Sequence, residues 1–76
     1  GLVQPTGLAY LDGVVYVADR GTGKLHCFDA DSGKELRSLD SGLGKDALGG
    51  LSVSPDPELR IYVTDMAGNR ILRVDP

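Results

Sequence analysis

The chain has 76 residues, about half the usual length of a domain, which excludes a second unit with a core of its own. A composition that is 41% hydrophobic and 25% charged is that of a globular chain and excludes a disordered one. Eight Lys and Arg against eleven Asp and Glu give a net charge of -3, and no basic residue adjoins another, so the clustered cations that a nucleic-acid backbone requires are missing.

In chain order, short apolar runs alternate with turn signals. Strands are expected at 7–11, 14–18, 24–28 and 35–39, divided by Asp12-Gly13, by Arg20-Gly21-Thr22-Gly23 and by Asp31-Ser32-Gly33. Asp-Gly and Ser-Gly supply the positive φ that tight hairpins demand. Further strands follow at 51–54, 60–64 and 70–74. No window carries a sustained helical period free of glycine, so helix is expected to be absent. The longest apolar run, 14–18, is far short of the roughly 20 residues of a membrane-spanning helix, and no membrane partner is expected.

The strands belong to an internal repeat. Val15-Tyr16-Val17-Ala18-Asp19 returns 46 positions on as Ile61-Tyr62-Val63-Thr64-Asp65, and Lys24-Leu25-His26-Cys27-Phe28-Asp29 returns at the same offset as Arg70-Ile71-Leu72-Arg73-Val74-Asp75. Gly7-Leu8-Ala9-Tyr10 returns 43 positions on as Gly50-Leu51-Ser52-Val53, the difference being a longer turn around Pro55-Asp56-Pro57-Glu58-Leu59. Residues 14–18 are apolar on both faces, where a one-sided antiparallel strand would alternate, so both faces must be covered. Antiparallel units of this length with doubly buried middle strands are what radially stacked blades require. The expected fold is therefore all-β: two four-stranded antiparallel propeller blades, 1–46 with its connection and 47–76 lacking the outer strand, forming part of a larger or self-assembled β-propeller. Two blades close no ring, so one apolar face at each end should lie open.

The repeat resembles the NHL-repeat β-propellers, whose unit runs from a Pro-x-Gly start through a Tyr-Val-x-Asp strand and a turn with Asn-Arg or a similar pair to a strand ending in Asp. Pro5-Thr6-Gly7-Leu8-Ala9, Tyr16-Val17-Ala18-Asp19, and Tyr62-Val63-Thr64-Asp65 followed by Gly68-Asn69-Arg70-Ile71 carry the resemblance. It departs at Thr22-Gly23-Lys24, where Lys24 keeps only the charge, and at Gly49-Gly50, which replaces Pro-x-Gly. Six blades are common in such proteins, so the resemblance implies partners in the form of further blades, from a longer chain or from other copies, three of which would supply six partial blades. The start at Gly1 and the end at Pro76, where a fourth strand is due, favour a fragment over self-assembly as the expectation.

Asp19 and Asp65 end equivalent strands and are read as turn anchors, accepting backbone N–H groups or pairing with Lys24 and Arg70. Residues 29–33 resemble the start of a calcium loop but lack its third ligand and its terminal Glu, and Gly21-Thr22-Gly23-Lys24 precedes no helix that could cradle a phosphate. Neighbouring strand residues point to opposite faces, so His26 and Cys27 cannot share a metal. Their repeat counterparts Leu72 and Arg73 suggest that position 26 faces a blade and position 27 is the more exposed. No cofactor or metal is expected. The turns 20–23 and 66–69 and the connection 40–50 should share one end, which makes Arg20, Lys45 and Met66 the candidate contacts for a ligand or protein partner. The expected function is a noncatalytic repeat module for protein or ligand interaction. The alternative is part of a propeller enzyme, a metal-dependent hydrolase or lyase whose active-site residues lie in missing blades, since the inner strands here offer only Tyr10, Ser52 and Ser54 as polar side chains. A single cysteine fixes no compartment.

Overall fold

A computed structural model describes residues 2–44, 46–55 and 58–74. The fold is all-β. Strands β1 (Pro5–Leu11), β2 (Val14–Asp19), β3 (Lys24–Asp29) and β4 (Glu35–Asp40) form one antiparallel sheet in chain order. Strands β5 (Leu48–Ser54), β6 (Arg60–Asp65) and β7 (Arg70–Val74) form a second, also antiparallel and in chain order. No helix occurs among the described residues. The β5 strand starts three residues before the expected 51–54, because Gly49 and Gly50 continue the extended chain where their identity suggests a turn.

The turns explain the sequence locally. Asp12 and Gly13 both take positive φ, 51° and 80°, so the two-residue loop between β1 and β2 has the type I′ twist that matches its strands. Gly23 and Asn69 are repeat counterparts, and both sit in the left-handed region at φ 75° and 53°. Gly and Asn are the residues that enter this region at least cost, which is why the second turn keeps Asn where the first has Gly.

The repeat also appears in the hydrogen bonds. Arg20 N–H donates to the Gln4 carbonyl at 2.9 Å, and the counterpart Met66 N–H donates to the Ala47 carbonyl at 2.8 Å. Both inner strands carry a register irregularity at equivalent places, between Pro5 and Gly7 in β1 and between Leu48 and Leu51 in β5.

The core lies between the two sheets. The first contributes Tyr16, Ala18, Leu25 and Cys27, and the second contributes Leu48, Ile61, Val63 and Val74, with Ala9, Leu51, Val53 and Leu72 packed around them. Fully burying a side chain such as Leu25 or Ile61 stabilises the fold by about 2–3 kcal/mol. The sheets approach most closely along β1 and β5, where an added Cβ on Gly7 would stand 3.0 Å from the Leu51 nitrogen. At the same seam the Thr6 hydroxyl donates to the Gly49 carbonyl at 3.1 Å.

Register fixes which face of each sheet is used. Tyr16 pairs with Cys27 and Ala18 with Leu25, so these four share the face turned to the second sheet. In the second sheet Ile61 pairs with Val74 and Val63 with Leu72, and these share the face turned to the first. Their repeat counterparts in the first sheet are Val15, Phe28, Val17 and His26, on the face turned away. The sheets thus meet through unlike faces. Cys27 is only 1% exposed, which corrects the expectation that it is the more exposed of its pair: its face packs against the second sheet, as Arg73's face would pack against a following one. His26 is also buried, on the opposite face.

Candidate functional site

The turns 20–23 and 66–69 and the described parts of the connection, 41–44 and 46–47, lie at one end of the molecule, because two strand traversals separate each from the next. The connection is held against the first turn. Ser41 Oγ donates to the Gly23 carbonyl at 2.6 Å, and Asp46 N–H donates to the Arg20 carbonyl at 2.9 Å. Arg20 Nε returns a hydrogen bond to the Asp46 carbonyl at 3.2 Å. The chain then passes under the second turn through the bond from Met66 N–H to the Ala47 carbonyl. Arg20 and Met66 are therefore linked through consecutive residues, and Lys45 lies outside the described residues. Met66 is exposed and, with Asn69 and Arg70, lines a shallow depression of about 300 Å³.

Beneath the turns stand the two buried aspartates. Asp19 Oδ2 accepts Val3 N–H at 2.8 Å, and Oδ1 accepts Gln4 N–H at 2.7 Å and Gly21 N–H at 3.0 Å. Burial pushes this carboxyl upward, but the three backbone donors and the nearby His26 outweigh burial and hold it below its ordinary value. Asp65 is held low first by Arg70, whose Nε donates to Oδ2 at 2.9 Å, and then by Gly68 N–H. Lys24, the counterpart of Arg70, is exposed and makes no ion pair with Asp19 among the described residues. The carboxylate it would meet is already occupied by the entering chain at Val3 and Gln4. Held low and turned toward fixed donors, both aspartates are poor bases toward a ligand and clamps on the chain around them.

One cluster escaped the sequence reading. On the face turned away from the second sheet, His26 Nδ1–H donates to Glu35 Oε2 at 2.9 Å, while Nε2 stands 3.9 Å from Asp19 Oδ2 without a hydrogen-bond partner. The register shift between Cys27 and Phe28 brings Glu35 opposite this part of β3, and nothing in residue spacing announces that shift. The two ring nitrogens point to different carboxylates, so the three side chains do not converge on one point. Among the described residues no group of three His, Cys, Asp or Glu side chains could hold a metal ion.

No curated protein and no solved structure matches the chain. Residues 2–28, which span β1, β2 and most of β3, match the family model of the NHL repeat.

Proposed function

We propose that the chain is a noncatalytic β-propeller repeat module, its units 1–46 and 47–76 being one blade with its connection and one blade lacking an outer strand. It presents the end formed by its turns and connection to a protein or other ligand. The match of residues 2–28 to the NHL repeat is the observation that carries this reading. It is supported by two sheets that share a register and one pair of equivalent hydrogen bonds beneath the turns. Arg20, Lys45 and Met66 are the contacts, a cationic and thioether surface suited to an acidic, partly apolar peptide.

Panning a displayed peptide library against the intact chain tests it. Selected peptides should lose at least tenfold in affinity for the Arg20→Ala, Lys45→Ala, Met66→Ala triple variant. Equal binding by a folded triple variant would remove this end as the contact surface.

A further inference from the structure

The contact between the two sheets is heterologous, and the molecule exposes an unused counterpart of each side of it. Within the chain, Gly7, Ala18 and Leu25 of the first sheet share the face covered by Leu51, Ile61 and Val63 of the second. The repeat register makes Gly50, Thr64 and Ile71 the counterparts of the covered set. It makes Leu8, Val15 and Val17 the counterparts of the covering set. Both unused faces expose apolar side chains: Leu8 is 69% and Tyr10 65% exposed on one, and Ile71 is 71% exposed on the other.

We propose that a second copy of this chain covers them, the Leu8 face of one copy docking on the Gly50 face of the next as the second sheet docks on the first within each chain. The local shapes agree. Leu51 packs against Gly7, where an added Cβ would stand 3.1 Å from the Leu51 Cβ. At the counterpart position Gly50 an added Cβ would find only the Thr64 hydroxyl, at 3.7 Å. A depression of about 290 Å³ opens beside it, walled by Ser52, Tyr62, Thr64 and Ile71. Leu8 stands where Leu51 stands and is the side chain that fills this depression in the next copy.

Ser52, Thr64 and Arg73 replace Ala9, Ala18 and Cys27, which makes the outer contact more polar than the inner one, as suits copies that fold separately before they meet. A head-to-tail contact closes when its rotation divides a circle. Radial stacks close at about four to eight sheets, so the assembly holds two to four copies. The proposal stands on the sheet faces alone and is independent of the turn-end surface.

Light scattering across a concentration series tests it. The intact chain should reach a plateau mass of two, three or four times 8.0 kDa. Leu8→Glu and Gly50→Val alter opposite faces at sites that are open in the single chain, and each alone should return the mass to that of one copy. Mixed in equal amounts they should form a one-to-one pair, because each retains the face that the other lacks. An intact chain that stays monomeric would overturn the proposal and point to blades on the same polypeptide as the cover. Assembly that survives either substitution, or variants that fail to pair when mixed, would overturn it too.

Discussion

Replacing Asp19 by Asn tests whether the buried carboxylate, rather than the strand it ends, holds the entering chain in place. The amide retains one acceptor oxygen. Turned toward Gln4 and Gly21, that oxygen keeps two bonds but loses its charge, at about 0.5–1 kcal/mol each. The NH2 group then faces the Val3 N–H, donor against donor, at a further cost of about 1 kcal/mol in this partly buried site. The expected loss is about 2–3 kcal/mol. With a urea dependence of about 1 kcal/mol per molar for a chain of this size, the unfolding midpoint falls by about 2–3 M, compared at equal protein concentration. Hydrogen exchange at Val3 and Gln4 should accelerate while that at Ile61 and Val63 tracks only the global change. The pH dependence has a definite sign. The folded carboxyl lies below its ordinary value of 3.8, so its contribution is present above that value and is lost as the pH falls toward the folded one. Asp19→Asn should flatten this acid limb. A variant with an unchanged midpoint and an unchanged acid limb would refute the clamp.

Three further substitutions and one reaction probe other parts of the structure. Asn69→Gly should change stability by less than about 0.5 kcal/mol, whereas Gly23→Asn, which copies the second repeat into the first, should cost about 2–3 kcal/mol. The difference arises because a Cβ at position 23 would lie 2.5 Å from the Leu43 carbonyl oxygen, and thermal denaturation of the pair measures it. Arg70→Gln should raise the Asp65 titration observed by NMR toward the ordinary carboxylate range and leave that of Asp19 in place, since Arg70 is the first cause of the low Asp65 value. Burial raises the Cys27 thiol and seals it between the sheets, so alkylation should be slow in the native chain and rapid in urea. Fast alkylation under native conditions would show that the sheets separate.

Strand positions were legible because each run is bounded by turn residues whose backbone demands are strict: Asp12-Gly13 needs positive φ at both positions, and no helix tolerates that spacing of glycines. The start of β5 was not legible, because Gly49 and Gly50 lack the side chains by which a strand announces itself. Side-chain exposure was read with one error. Matching Cys27 to Arg73 transfers the facing correctly, but exposure does not transfer, since the same face is covered in the first sheet and open in the second. Of the two anchoring modes expected, Asp19 takes backbone donors and Asp65 takes both a backbone donor and Arg70: the two are sequence counterparts with different neighbours, and only the folded chain shows that Val3 and Gln4 reach the first of them. The contact between His26 and Glu35 depends on a register shift in β3 and β4, a feature of strand pairing that no linear spacing encodes.

The hairpin at 12–13 and the longer stretch at 55–59 correspond in the sequence, yet the strands on either side of them pair alike. The opposite end is crossed by hydrogen bonds that tie the connection to both turns. The two ends are consequently tied differently: one is bonded to the neighbouring unit, while the hairpin at 12–13 is bonded within its own sheet, where Ala30 N–H donates to the Gly13 carbonyl at 2.9 Å. For protein engineering this makes the hairpin at 12–13 the place to graft a foreign epitope, since its cargo would project beside the cleft walled by Leu11, Tyr16 and Leu59 and away from the bonds that hold the repeats in step.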